Sequence, residues 1–467
     1  MESNYPKYFY LLFFLIGSWL LTCLLHFRQP LFHLLGSGTA VFLPFLNRRG
    51  RSPNRYIKAY KKLPERRRRQ AAASCDGRYV HMVDLPPQFD VCAEGSLAFE
   101  SEHSIRQLMS NAGIGPVLLP AGDRSDGEDE DIVLSTGWYN TNQYALEVIF
   151  HHRMRLYESP TPGGGDGGTV YVPYYAAMEL QPHTCGMFNA TVRDGATEQL
   201  LRTAAATTSW KVPAAGGDDD TGCGNSFMVK PESRNMTVLT CETDIWEQPQ
   251  RDFAMPYPSY LHPSSAGEVA EGQARVRAAP RPWLFSFAGA GRPGMLAIRD
   301  RIFNACDAAI PRRSCGKLDC GGLEGSITCR SPLKLMSLFT SSRFCLQPQG
   351  DSFMRPSSVD AVMSGCIPVF FHEASTFEKQ YYWHERDPDS DRGGRSNNDR
   401  RYYVFIDQDD VLQGKVGIEE ALSRYTDDEV AAMREEAIKM IPRFLYKDPR
   451  VRFAGDMRDA LDITIDE

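Results

Sequence analysis

Hydrophobic and polar positions separate a membrane-length run from two differently patterned halves. Tyr8 to Phe27 is a stretch of twenty residues without Asp, Glu, Lys or Arg, about the length a helix needs to cross ~30 Å of hydrocarbon. Its end, Leu20 to Phe27, offers no small-residue cleavage site, so the run predicts a retained anchor. A second apolar run, Pro30 to Leu46, is broken by Gly36, Gly38 and Pro44 and reads as interfacial. The ordered body is expected to begin near Cys75. Tyr79 to Val83 reads as a strand, and Thr141 to Leu156 as a helix with Gln143, Glu147 and His151 on one face. A Gly-rich loop, Pro162 to Gly168, leads into a short buried strand at Val170 to Tyr174, and Gly216 to Gly224 is another loop.

Beyond a polar, small-residue stretch from Ser264 to Ala279, read as a linker, strands and helices alternate. Strands are predicted at Trp283 to Ala288, Phe344 to Gln347, Cys366 to Phe371 and Tyr402 to Ile406. Helices are predicted at Met295 to Phe303, Leu333 to Thr340 and Pro356 to Ser364, with another opened by the capping box Thr426-Asp-Asp-Glu429 and running to about Leu445. This βαβ order implies an α/β fold with a parallel sheet and ligands at the carboxyl ends of its strands. No internal repeat is evident.

With 467 residues, 42% hydrophobic and 24% charged, the chain is too long for one ordinary domain and too apolar for disorder, so two packed domains are expected. The net charge of -7 is unevenly spread. Arg48 to Arg69 holds 11 of the 52 basic residues and one acid, leaving an acidic body that disfavours nucleic acid as a partner. Counting basic residues alone, with Lys7 before the span and this cluster after it, would place the body in the cytosol. The sequons at Asn189 and Asn235 and the cysteines point the other way, to a lumen. Cys306, Cys315, Cys320 and Cys329 lack the paired C-x-x-C of a zinc knuckle and read as two disulfides, while the odd number of cysteines beyond the span leaves at least one thiol free, with Cys366 a candidate.

Candidate chemistry collects at two turns. Phe287-Ala-Gly-Ala-Gly-Arg-Pro-Gly294 runs from strand to helix, with Gly289 and Gly291 permitting close approach and Arg292 adding charge. Gln347-Pro-Gln-Gly-Asp-Ser352, followed by Arg355, repeats the arrangement with Gly350, Asp351 and Ser352. Two such turns suit a nucleoside diphosphate, although neither closes as a P-loop. Asp218-Asp-Asp220, Asp387-Pro-Asp389 and Asp407-Gln-Asp409 satisfy a bare Asp-x-Asp pattern but read as solvated loops, so no metal is expected.

Cys75-Asp-Gly-Arg-Tyr79, Gly137-Trp-Tyr-Asn-Thr-Asn-Gln-Tyr144, Glu147-Val-Ile-Phe-His-His-Arg153, Tyr171-Val-Pro-Tyr-Tyr-Ala176, Met255-Pro-Tyr-Pro-Ser-Tyr-Leu-His-Pro263, Phe285-Ser-Phe-Ala-Gly289, Phe344-Cys-Leu-Gln-Pro-Gln-Gly-Asp-Ser352 and Gly365-Cys-Ile-Pro-Val-Phe-Phe-His372 together resemble the plant exostosin-type glycosyltransferases of family 47, especially their xyloglucan galactosyltransferases. The resemblance implies two Rossmann-like domains facing a cleft (GT-B type) and a single-pass type II protein of the Golgi membrane. Its layout would be a cytosolic tail at 1–7, an anchor at 8–27, a stem at 28–74, an acceptor-side domain at 75–275, a donor domain at 276–446 and a tail at 447–467. It further implies inverting transfer from UDP-galactose or another UDP-sugar to xyloglucan or a related polysaccharide, without a cofactor and in company with other Golgi glycosyltransferases.

The donor would be held by Ser286, Gly289, Gly291, Arg292, Gln347, Gly350, Asp351, Ser352 and Arg355, with Asp360 receiving ribose hydroxyls. Asp252, Glu147 and Asp84 are the candidate bases. The chain departs from the family at Pro356, where an arginine is usual, at Asn225-Ser-Phe227, and in a shortened stretch before Asn235. These departures raise a non-catalytic scaffold or glycan-binding role as the alternative. Membrane topology is directly testable: intact microsomes should shield the body from added protease, and an endoglycosidase should increase its mobility. Digestion without detergent would reverse the orientation.

Overall fold

Two five-stranded parallel sheets organise the chain in a computed structural model that describes residues 80–83, 109–118, 137–156, 169–176, 194–195, 197–201, 210–213, 230, 233, 236–243, 245, 252–291, 297–350, 352–385 and 402–466. The anchor, the basic stem, both sequon asparagines and Asp84 lie outside these residues. The first sheet contains β1 (Val80–Met82), β2 (Thr169–Tyr171), β3 (Trp210–Pro213), β4 (Met236–Thr240) and β5 (Asp252–Ala254), side by side in chain order. The second contains β6 (Trp283–Gly289), β7 (Cys315–Asp319), β8 (Ser342–Gln347), β9 (Ile367–Phe370) and β10 (Val404–Phe405), in the order β10-β9-β8-β6-β7. After β6 the chain goes to β7 on one flank and then returns to β8 on the other. The strand order therefore reverses between β6 and β8, where connections leave in opposite directions and open a crevice at the carboxyl edge. Both sheets belong to one compact unit of the chain.

The helices follow local signals. α1 (Leu146–Met154) precedes β2, and its buried residues Val148, Ile149 and Phe150 pack with Tyr171. α2 (Ala266–Ala278) occupies the stretch expected to be a linker. The Ser265 hydroxyl accepts the Glu268 N–H at 3.2 Å, alanine supplies helix propensity, and Val269 and Val276 bury one face. Small residues there serve close packing, with the Gln273 amide donating to the Ile438 carbonyl at 2.8 Å. α3 (Ala297–Ala309), α4 (Gly322–Cys329), α5 (Pro332–Thr340) and α6 (Pro356–Met363) serve the second sheet, and α7 (Asp427–Phe444) starts at the expected capping box.

Residues 447–466 are not a tail. They return to the first sheet, where α8 (Ala460–Asp466) packs Ala460 and Leu461 with Ile149 and Tyr171. Arg153 of α1 meets Asp459 at 2.7 Å and Asp462 at 2.8 Å, all within the interior. Burial alone would raise the Asp462 carboxyl, but Arg153 and Lys447 outweigh it and hold the group well below the ordinary carboxylate range.

The two bridges expected among the four clustered cysteines are present, and the fold supplies the pairing that the sequence left open: Cys306 with Cys315 and Cys320 with Cys329. Cys366, the candidate for a free thiol, is instead bonded to Cys345 because β8 and β9 are neighbours. Among the described residues, Cys241 is the unbonded cysteine. β7 was hidden because its sequence, Cys-Gly-Lys-Leu-Asp, has almost no apolar signal.

Arg281 pins the amino edge of the second sheet. Its guanidinium donates to carbonyls of Val276, Phe339, Ser342 and Ser364 at 3.2, 3.1, 2.6 and 2.7 Å. Burial pulls its pKa down to about 9, with Arg434 adding to the effect, so the group remains charged at neutral pH. Arg281→Met should strand several buried carbonyls and lower stability by about 3 kcal/mol or more. A urea midpoint unchanged from wild type would contradict this role.

Candidate functional site

A cleft of about 290 Å³ opens where the strand order of the second sheet reverses. β6 delivers Gly289, β8 delivers Gln347, and α6 contributes Arg355, Ser357 and Asp360 at its amino-terminal end. Tyr260, from the segment joining the sheets, and Arg299 of α3 complete the polar lining. The sequence therefore located both turns, and the fold brings them together.

Two guanidiniums converge on Gly350. A Cβ built there would lie 2.0 Å from Arg355 Nη1 and 3.0 Å from Arg299 Nη2, so any side chain would displace both cations. Arg299 also donates to the Gln349 carbonyl and the Ala290 carbonyl, each at 3.1 Å, tying one turn to the other. Its position within a helix concealed it from motif reading. Gly289 is required for a different reason, since a Cβ would lie 2.5 Å from the Phe287 ring. At Gly291 a Cβ would stand 3.5 Å from Asp300 Oδ1.

Gln347 is 3% exposed; its Oε1 accepts from Ser357 Oγ at 2.7 Å, while its Nε2 has no hydrogen-bond partner. A buried amide donor facing a cleft is a ready contact for a ligand oxygen. Pro356 occupies the first position of α6, where the ring favours helical φ and the missing N–H falls among donors that no helical carbonyl would take. Helix formation is thus compatible with proline at this position.

Other candidate residues are placed elsewhere. Ser286 is buried, meets Cys345 Sγ at 3.6 Å and does not itself line the cleft. Arg292 and Asp351 lie outside the described residues. Glu147 is buried in the first turn of α1, close enough to Tyr171 and Cys241 for its charge to add to their burial in raising both pKa values. Asp252 is buried in β5, opposite Val238. Neither carboxylate lines the cleft. Asp407 caps the short helix Gln408–Leu412 by accepting from the Asp409 N–H at 2.8 Å, which gives Asp407-Gln-Asp409 a structural role.

A carboxylate that links the segment after β4 to the loop just ahead of Arg355 escaped sequence reading. Glu242, just past β4, accepts from Tyr257 Oη and Ser352 Oγ at 2.6 Å each and from the Met354 N–H at 3.0 Å. Its signal is positional, an acid directly beyond the carboxyl end of a parallel strand.

Asp360 forms the acidic floor. It is 2% exposed and accepts from Ser259 Oγ at 2.6 Å. Burial pushes its pKa up to about 7, partly opposed by the Ser259 hydrogen bond. Because the folded value exceeds the unfolded one, its contribution to stability is full at low pH and falls as pH rises from ~4 to about 7, on the order of 1 kcal/mol per unit. Asp360→Asn should therefore show a smaller decline in Tm than wild type between about pH 5 and about pH 7. Parallel pH profiles of Tm would refute the assignment.

Residues 74–422 match the family described as Exostosin GT47 domain. Xyloglucan galactosyltransferase MUR3 of Arabidopsis thaliana is 35% identical over 84% of this chain and 62% of its own length. The probable xyloglucan galactosyltransferase GT15 of Arabidopsis thaliana is 33% identical, covering 84% of this chain and 82% of that one. Xyloglucan-specific galacturonosyltransferase 1 of the same plant is 30% identical over 85% of this chain and 58% of its own. Among solved structures, an alpha-glucosyltransferase in complex with UDP and DNA aligns over 60% of this chain and 76% of that chain, with 10% identity and a TM-score of 0.32. With a match running from just before the first strand through the second sheet, the chain belongs to the exostosin GT47 family of glycosyltransferases.

Proposed function

We propose that the protein transfers a sugar, galactose in the first instance, from its UDP derivative to xyloglucan or a related cell-wall polysaccharide, in the Golgi lumen and with inversion. The observation that carries this reading is the convergence of Arg299 and Arg355 over Gly350, in a cleft that also holds the Gln347 amide and the Asp360 carboxyl. The cations suit a diphosphate, and Asp360 suits ribose hydroxyls. The names of the Arabidopsis relatives support the acceptor, and the galacturonosyltransferase among them makes the donor sugar the point to test.

In this reaction an acceptor hydroxyl oxygen bonds to the anomeric carbon as that carbon's bond to the diphosphate breaks. The hydroxyl proton passes to a base, and UDP leaves with its added negative charge facing Arg355 and Arg299. Glu147 and Asp252 remain candidates for the base, together with Asp84. The reading requires no divalent ion, because the guanidiniums and turn amides receive the leaving group.

Arg355→Ala should remove a charge-assisted contact worth ~1.5 to 3 kcal/mol, weakening UDP by at least about tenfold. Calorimetry with UDP, followed by assays of UDP-sugars against xyloglucan oligosaccharides with and without EDTA, tests the proposal. Undiminished UDP binding by the variant would remove the donor site, and transfer abolished by EDTA would require a metal-dependent mechanism.

A further inference from the structure

The segment after β4 fixes Glu242 from both sides. The Cys241 carbonyl accepts from Tyr381 Oη at 3.3 Å, the Thr243 N–H donates to Gln380 Oε1 at 2.8 Å, and the Thr243 carbonyl accepts from Gln380 Nε2 at 3.1 Å. Tyr381 and Gln380 are themselves buried, so the Glu242 backbone is held against a rigid wall. Its carboxylate then reaches the second sheet's loop at Ser352 and Met354. On the other flank, Arg299 holds that loop through the Gln349 carbonyl. Gly350 lies between these two anchors, and Arg355 directly follows Met354, whose side chain is 1% exposed.

We infer that Glu242 is a positioning residue for the donor site: it latches the loop to the first sheet and thereby seats the Arg355 guanidinium over Gly350. The inference rests on the donor-site reading above. Its geometry makes an unusual demand on sign. An acid this close to a diphosphate site repels the ligand through space, so neutralising it would strengthen UDP binding if charge were its only effect. A latch gives the reverse result. Glutamine at this position retains an oxygen for Tyr257 and Ser352 but presents N–H groups where Met354 N–H needs an acceptor.

The test is calorimetry of UDP binding to the full chain in detergent, with thermal unfolding measured alongside. Glu242→Gln should weaken UDP about fivefold or more, and in the Arg355→Ala background it should add less than about twofold, because it acts through that arginine. Tyr257→Phe removes a different partner of Glu242 and should leave UDP binding within about twofold of wild type. Ser352→Ala, at an exposed position, supplies a second latch variant should Glu242→Gln unfold, and should weaken UDP about threefold. Unchanged or tighter binding by Glu242→Gln, or by Ser352→Ala if the former unfolds, overturns the latch. Losses that multiply fully in the Glu242→Gln, Arg355→Ala double variant do the same. If Arg355→Ala itself binds UDP normally, the donor-site reading has failed, which is a separate result.

Discussion

The guanidinium of Arg281 draws together the ends of α2, α5 and α6 and the first residue of β8. Helix carboxyl ends carry partial negative charge and carbonyls that no helical N–H satisfies, so a buried cation neutralises several at once. Gly365, with φ of +64°, presses against this group, and a Cβ there would sit 3.0 Å from Arg281 Nη2. A larger residue would be both strained and obstructed. β8 and α6 run from this edge toward and back from the cleft, so their anchoring here sets how far Gln347, Arg355 and Asp360 extend at the other edge. The binding groups depend on a polar cluster that touches no ligand.

Charge in the cleft is arranged by burial as much as by residue type. Arg299 and Arg355 stand above Gly350, while Asp360 lies on a dry floor where burial brings its pKa to about 7. A largely neutral floor at mildly acidic pH reduces repulsion toward a diphosphate without surrendering the hydrogen-bonding oxygen. Just ahead of Arg355, Glu242 meets loop donors that a mobile peptide would leave to water. The two halves are thus joined by polar contacts on the loop that leads into Arg355.

Sequence patterns exposed the second sheet well because β6, β8 and β9 are apolar strands followed by glycine turns or capped helices. The first sheet was less legible. β3, β4 and β5 are short, and Asp252 within β5 looks like a loop acid until the register with β4 is known. α2 was concealed by alanine and glycine, whose value lies in packing against α7 rather than in a strong apolar stripe. At the site, Gly289, Gly350 and Arg355 were marked by local motifs. Arg299 and Glu242 were not, since each acts through a partner about fifty or more residues away. The pairing of Cys366 was likewise a matter of strand adjacency, which spacing alone does not encode.

The return of α8 to the first sheet gives synthesis an order that differs from the order of the fold. When Ala254 has been made, all five strands of that sheet exist, yet the buried Arg153 lacks Asp459 and Asp462, and the face of α1 lacks Tyr446, Ala460 and Leu461. The nascent amino-terminal half must therefore carry an unsealed apolar surface while the whole second sheet is translated. Its completion waits for α8, made after the whole second sheet, so this half is the more exposed to chaperones and to misassembly during biosynthesis.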